Sequence, residues 1–268
     1  MKKKIYFNII TPVLDGEKHI KRNIDSLKKQ SFKNYEHIII DGKSKDNTLQ
    51  ILKKNKNKKN IIISKKDKNL WEAINRGIKI SKGEVIAVLN SDDYFYKNAL
   101  KIIFNYFKKD NSLSYIFGSV KKYNRTLYKL EKDKIYYKFN IYPSHSVSFF
   151  VKKKVHKKIG YYNSNYNLCA DYDFFYKLFS NKNIKGYNTK KNEIIGYFRP
   201  GGISEKVSKF EKCLIEFKIR FKNNQNLIVL FFVIILTIMN IYRNIFLNFF
   251  KIKKWVFWSI TLKKCFWY

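Results

Sequence analysis

The apolar run Val85-Ile86-Ala87-Val88-Leu89 ends directly in Asn90-Ser91-Asp92-Asp93. A buried strand that stops at adjacent carboxylates sets hard oxygen ligands at the carboxyl edge of a sheet. Open α/β folds bind ligands at that edge, and Mg²⁺ or Mn²⁺ can bridge a diphosphate there. Asp and Asn are also common turn residues after strands, so the tetrapeptide by itself reads equally as an ordinary turn. What surrounds it decides between the two.

The elements that must position these carboxylates alternate. Strand-length apolar runs near Ile5-Ile10, Tyr35-Ile40, Ile61-Ile63 and Val85-Leu89 are separated by helical patterns near Glu17-Lys29, Asp46-Lys54 and Leu70-Ser81. This is the βαβα signature of a mostly parallel sheet in an α/β fold. Ser44 is placed to cap the second helix with Asp46 in its first turn, and Gly83 to close the third. After Asp93 the pattern is less regular: a helix near Asn98-Lys108, strands around Tyr115-Lys121 and Ser146-Val151, and a helix beginning near Asp171. Residues 1–95 read as a nucleotide-handling half and 96–205 as a substrate-facing half, followed by a helical region over 206–268.

Composition narrows the class. A chain of 268 residues holds one large α/β domain plus an appendage. The formal charge of +36 would suit nucleic acid or anionic membrane. The lysines are dispersed rather than clustered with aromatics on one element, however, which argues against a nucleic-acid partner. Cys169, Cys213 and Cys265 have neither disulfide nor zinc-ligand spacing, as expected of a reducing cytoplasm. The stretch Met1 to Leu14 superficially resembles a signal peptide, but Asn8, Thr11 and Pro12 interrupt it and Asp15-Gly16-Glu17 follows, so a first strand is expected.

From Asn223 to Tyr242 the sequence has no charge, and Leu227 to Met239 is almost purely apolar. Thirteen helical residues reach about 20 Å, short of the roughly 30 Å of bilayer hydrocarbon. Continuing to Phe250 would bring Asn240, Arg243, Asn244 and Asn248 into lipid. With Trp255, Trp258 and Trp267 alternating with lysines beyond, the expected element is an amphipathic helix lying in the membrane surface; a spanning helix and a buried core or oligomer helix are the alternatives.

Four segments in one order make a resemblance specific. Ile9-Ile10-Thr11-Pro12-Val13, Ile39-Ile40-Asp41-Gly42-Lys43-Ser44-Lys45-Asp46-Asn47-Thr48, Leu89-Asn90-Ser91-Asp92-Asp93 and Ala170-Asp171-Tyr172-Asp173 resemble the family 2 glycosyltransferases. The similarity covers residues 5 to 205 and extends through Asp67 to Gly77 and Arg199 to Ser204. The resemblance implies a GT-A fold, a nucleotide-sugar donor of the UDP-linked kind, a Mg²⁺ or Mn²⁺ cofactor and inversion at the anomeric carbon.

It also implies roles. Thr11 and Pro12 would end the first strand and offer backbone groups to the nucleotide, or form a plain strand-end turn. Asp41 would accept from the imide N–H of the base, or cap the Ser44 helix. Asp67, Asn75, Asn90 and Ser91 match donor-side positions, with Asn75 alternatively a polar residue on a helix face. Asp92 would bind the cation, with Asp93 supporting it or beginning a turn; Asn90 stands where the family carries an Asp, which leaves a neutral amide for the ribose. Asp171 matches the catalytic base, with a helix cap as the alternative, and Asp173 cannot share its helical face. His145 resembles a position close to the acceptor or diphosphate. Arg199 can contact phosphate from a flexible Gly201-Gly202 loop, or be a surface residue.

The expectation is an inverting sugar transferase acting on a glycan or lipid-linked acceptor in cell-surface polysaccharide synthesis, at the cytoplasmic face of the membrane and bound to its surface. Transfer to a polyprenyl phosphate, which needs no strong base, is the alternative within enzymes. A basic nucleic-acid-binding protein or a scaffold is the alternative outside them.

Overall fold

The computed structural model describes residues 5–128, 134–139, 145–202, 207–239 and 242–243. The strands are β1 (Phe7–Val13), β2 (Tyr35–Asp41), β3 (Asn60–Ser64), β4 (Val85–Val88), β5 (Tyr94–Phe95), β6 (Tyr115–Phe117), β7 (Ser119–Lys122), β8 (Arg125–Leu127), β9 (Phe149–Lys152), β10 (Gly186–Asn188) and β11 (Ile194–Tyr197). The helices are α1 (Ile20–Lys28), α2 (Thr48–Lys54), α3 (Leu70–Ile80), α4 (Ala99–Lys109), α5 (Lys134–Tyr137), α6 (Lys153–Ile159), α7 (Ala170–Ser180) and α8 (Lys209–Lys222). Helix 227–239 follows α8.

Seven strands form the main sheet in the order β10-β6-β9-β4-β1-β2-β3, parallel except for β9. The expected parallel α/β sheet is present, and strands from both halves read in the sequence share it. β5, β11, β7 and β8 form a second, four-stranded sheet. Every residue of β1 is buried, as befits a strand covered on both faces.

The sheet is packed by three apolar clusters. One joins Ile10, Ile38 and Ile86 to α3, α7 and Ile219 of α8; a second joins Phe7, Val85 and Phe150 to α4 and the small sheet; a third seats Ile20, Ile24 and Leu52 of α1 and α2 on Ile39. Because Ile219 is in the first cluster, the body of the fold runs past residue 205 into α8.

Differences from the sequence expectation have local causes. The stretch Tyr115-Lys121 is not one strand: it breaks at Gly118, whose N–H donates to the Ser148 carbonyl at 2.9 Å. A Cβ at Gly118 would lie 2.1 Å from Ile195 Cγ1, so only glycine lets the chain leave one sheet for the other. Ser44 does not cap α2. The α2 N-cap is Asn47, and Asp46 Oδ1 instead accepts from the Thr48 N–H at 2.9 Å. Gly83 does not close α3, which ends at Ile80 with Ser81 as its C-cap; the Gly83 N–H is spent on the Asn8 side chain. Ser146-Ser148 forms a 3-10 turn before β9.

Among the described residues no helix is long and apolar enough to cross a membrane. Trp255, Trp258, Trp267, Cys265, residues 240–241 and 244–250 of the expected continuation, and Ile203-Ser204 of the Arg199 motif lie outside the described residues.

Candidate active site

The carboxyl edge of the main sheet gathers most of the chemistry-bearing residues. β4 hands over to Asn90 through Leu89, whose N–H reaches the Ile10 carbonyl at 2.9 Å. The Asp93 N–H then closes a turn on the Asn90 carbonyl at 3.0 Å. Fully buried Asn23 of α1 clamps that turn, donating from Nδ2 to the carbonyls of Asn90 at 2.8 Å and Asp93 at 3.2 Å. The sequence reading passed over Asn23; an amide in the apolar phase Ile20, Asn23, Ile24, Leu27 was the available signal.

The turn presents two different carboxylates. Half-buried Asp92 makes no hydrogen bond or ion pair among the described residues, and its charge acts on His19 and Asp93. Asp93 is 1% exposed. Its Oδ1 accepts from the Arg199 N–H at 2.9 Å and its Oδ2 lies 3.7 Å from His145 Nδ1. Burial first, and the Asp92 charge second, push the Asp93 carboxyl well above the usual carboxylate range. Asp92 is thus left unengaged among the described residues, while Asp93 ties the turn to the segment after β11.

That segment closes over the turn. The Arg199 guanidinium meets His19 Nε2 from the loop before α1. Burial and then the Arg199 charge lower the His19 pKa, against the pull of Asp92, so the ring accepts as a neutral imidazole. His145 stacks on Phe198 with ring centroids 3.4 Å apart, and its neighbour Ser146 receives the Asn90 Nδ2 donor at 3.2 Å. Asn90, Asp92, Asp93, His145 and Arg199, expected separately, are brought together. His19 was not read from the sequence, since a lone histidine in a turn carries no pattern. Ser91 stands beside the Gly16 loop, 3.5 Å from where a Gly16 Cβ would be.

The nucleotide-side residues are placed differently from the expectation. Thr11 and Pro12 do not end β1, which continues to Val13 in register with Asp41. Thr11 is fully buried and its hydroxyl lies 2.8 Å from His37 Nε2. Pro12 falls in phase with Ile10, whose carbonyl faces β4, so its missing N–H is directed where β4 has ended. Asp41 is buried with both oxygens engaged: Oδ1 by the Ser44 hydroxyl at 2.5 Å and Oδ2 by the Ser64 hydroxyl at 2.6 Å. It therefore ties the ends of β2 and β3 rather than capping a helix. Lys43, between Asp41 and Ser44, is held at φ 70°, a left-handed strain common at ligand-binding loops.

Asp67 pairs with the Arg76 guanidinium through Oδ1, while its Oδ2 is buried without a hydrogen-bond partner among the described residues. Asn75 is not directed at a ligand: its amide pairs with the Tyr162 backbone in both directions. Asn69 caps α3 and also donates to the Ser164 carbonyl at 2.7 Å, and Trp71 Nε1 donates to the Asn167 carbonyl at 3.1 Å. The loop before α7 is thereby pinned to the first turn of α3, so α7 begins at the same sheet edge as Asp92.

Asp171 sits in the first turn of α7, but the N-cap is Cys169, in a left-handed conformation at φ 64°. The Asp171 carboxyl is half-buried, and its Oδ1 accepts from the Tyr172 N–H at 2.9 Å. Burial pushes its pKa up to about 6, against that backbone bond and the charge of Lys212. Asp173 is 2% exposed and structural, paired with Lys177 at 2.6 Å and Asn223 at 2.9 Å.

No cluster of three or more His, Cys, Asp or Glu side chains among the described residues could hold a metal ion unaided. A single uncommitted carboxylate at Asp92 fits Mg²⁺ or Mn²⁺ only with phosphate and water completing the shell, which is how such cations sit on diphosphates.

Comparison with known proteins identifies the family and the fold. Residues 8–180 match the family model described as glycosyl transferase family 2. An uncharacterized glycosyltransferase of Rickettsia prowazekii is 27% identical over 195 residues, covering 67% of this chain and 61% of that protein. A PGL/p-HBAD biosynthesis glycosyltransferase of Mycobacterium bovis is 28% identical over 182 residues, covering 65% and 70%. The chain thus spans about six-tenths of the length of the rickettsial relative. Among solved structures, S. aureus TarS 1-349 in complex with UDP-GlcNAc superposes with a TM-score of 0.63 at 20% identity, covering 80% of this chain and 66% of that one. The mannosyltransferase PcManGT from Pyrobaculum calidifontis, in complex with GDP-Man and Mn²⁺, gives 0.64 at 12% identity, covering 82% and 65%. These likenesses show a GT-A-type fold.

Proposed function

Because the chain belongs to glycosyl transferase family 2, we propose that it moves a sugar from a UDP-linked donor to a hydroxyl of a glycan or lipid-linked acceptor, with inversion, in cell-surface polysaccharide synthesis. The observation that carries this reading is that Asp92, at the end of β4, and Asp171, at the start of α7, open at one edge of the sheet. The two carboxylates differ in environment. Both are half-buried, but Asp92 makes no hydrogen bond or ion pair among the described residues, whereas Asp171 accepts from the Tyr172 N–H and burial raises its pKa to about 6, and such a separation assigns different tasks to similar groups.

Asp92 would hold Mg²⁺ or Mn²⁺. Such an ion, when bound, neutralises the charge that grows on a departing diphosphate. Arg199 and His19, facing one another above Asp92, turn their donors to the same diphosphate, and the Asp67 oxygen that lacks a partner accepts from the nucleoside side. Asp41, with Ser44 and Ser64, shapes the base end of the site. Asp171 takes the proton of the acceptor hydroxyl as that oxygen attacks the anomeric carbon from the face opposite the diphosphate. General-base help of this kind supplies about 10² to 10⁴ in rate, most when the base titrates near the working pH, as a carboxyl at about 6 does.

Helix 227–239 leaves Leu227, Ile228, Phe231 and Phe232 between 57% and 68% exposed, which supports a membrane-surface location. The test is a panel of nucleotide sugars with Mn²⁺, read by thermal shift and donor hydrolysis. A UDP-sugar should raise the Tm and be slowly hydrolysed; absence of both for every nucleotide sugar overturns the reading.

A further inference from the structure

We propose that the outer stripe of α8 joins the outer side of helix 227–239 in one docking surface for an anionic lipid bilayer, and that this surface holds the catalytic edge toward an acceptor carried on lipid. The second clause rests on the transferase reading above. The first does not.

α8 has an inverted exposed face. Its buried side consists of Glu216, Ile219 and Arg220, each fully enclosed, and the side that should be polar carries Phe210, Leu214 and Phe221 at 69%, 48% and 58% exposure. Phe217 completes the stripe, its ring stacked on Phe221 at 6.4 Å. Spacings of four, three and four residues place these side chains along one line of the helix. Helix 227–239 repeats the arrangement: Leu230 and Val233 are 2% exposed, while Phe231, Phe232, Leu236 and Met239 are open. Two successive helices whose apolar sides are left open by the described residues exceed what a soluble surface ordinarily carries.

Charge selects the occupant. No acidic residue follows Glu216 in the sequence, whereas Lys251, Lys253, Lys254, Lys263 and Lys264 do. On α8 itself the exposed Lys218 and Lys222 lie beside the apolar stripe, and basic residues bordering an apolar helix face suit anionic headgroups above acyl chains. A second copy of the chain would bring the same uncompensated positive charge to the contact and be repelled.

The surface is rigidly joined to the site. Arg220 Nε donates to the Tyr172 hydroxyl at 2.8 Å and Asn223 Nδ2 donates to Asp173 Oδ1 at 2.9 Å. Tyr172 and Asp173 are the residues directly after Asp171, so docking α8 on a bilayer fixes Asp171 relative to the lipid plane.

Flotation of the full chain on phosphatidylcholine vesicles, with and without about one-third phosphatidylglycerol, tests this. Binding should be at least about fivefold stronger with the anionic lipid and weaken as salt rises. Leu214→Glu with Phe221→Glu should weaken it about tenfold, leaving donor hydrolysis in solution unchanged. Phe210→Glu, at the exposed start of α8, is the second variant and decides the matter should the double variant not fold. Wild-type flotation by a folded α8 variant overturns the role of α8, equal flotation on neutral vesicles overturns the charge selection, and a sedimenting dimer that ignores vesicles makes the face a contact between copies. Lost donor hydrolysis with intact flotation would count against the transferase reading and not against this surface.

Discussion

The Asn75 carboxamide pairs with the Tyr162 backbone in both directions, Nδ2 to the carbonyl at 2.7 Å and Oδ1 from the N–H at 3.1 Å. One side chain thus imitates a neighbouring strand and hangs the loop before α7 on α3. Asn75→Ala should destabilise the fold by about 1–3 kcal/mol, since it leaves two backbone groups of a buried residue unpaired. It should lower kcat more than it raises the donor KM, because the loop it holds leads to Asp171. Chemical denaturation and donor titration measure the two effects; intact stability with a lost donor affinity would restore Asn75 to direct donor contact.

Asp171→Asn should abolish transfer to acceptor while donor affinity stays within about threefold, because the lost function lies in the chemical step. Asn retains the acceptor for the Tyr172 N–H. Transfer that continues near the wild-type rate would remove Asp171 as base and favour an acceptor that is already ionised, such as a polyprenyl phosphate.

The same carboxyl predicts a pH signature in both activity and stability. With its pKa raised to about 6, wild-type transfer should climb through pH 6 and level above it. The folded state binds the proton more tightly than the unfolded chain, so this group's contribution to stability is fully present below about pH 4 and is lost as pH rises through 6. Asp171→Asn should therefore be more stable than wild type at pH 7 to 8, by on the order of 1–2 kcal/mol after solvent screening of a half-buried group. The difference should vanish near pH 4, and thermal melts across that range would reveal a gap of the opposite sign if the environment were polar.

Asp92→Ala should weaken UDP binding in Mg²⁺ or Mn²⁺ by about tenfold or more, with little effect in EDTA. Titration calorimetry with and without the cation distinguishes this from a general loss of the site, and equal wild-type affinities in both buffers would dismiss the metal.

Two buried histidines set the acid limit. Burial lowers His37 to about 3 and His156 to about 4, so both stay neutral in the fold while the unfolded chain takes up protons below pH 6.5. Stability from these groups is present above that value and is lost as pH falls toward 4. His156→Phe, which keeps the stacking on Phe174 at 4.8 Å, should flatten the slope of Tm against pH between 6.5 and 4; an unchanged slope would place the acid sensitivity elsewhere.

Much of this was legible in the residues. The alternation of apolar runs and helical periods fixes a parallel sheet, because strands covered on both faces must be continuously apolar and crossover helices must be amphipathic. Strand ends followed by polar turns also mark the functional edge, so Asn90 to Asp93 and Asp171 could be picked out before any contact was known. Partnerships were not legible. Asn23 reaching Asn90 across 67 positions, Asn75 reaching Tyr162 across 87 and Arg199 reaching Asp93 across 106 are set by which elements lie side by side, and no local period encodes that. The tertiary fold therefore decided that Thr11 bonds His37, that Asn75 pairs with the Tyr162 backbone, that Asp93 ties the turn to Arg199, and that His19 meets Arg199 beside Asp92. A side chain's type gives the bonds it can make, and only the packing of distant elements determines which of those bonds are already taken.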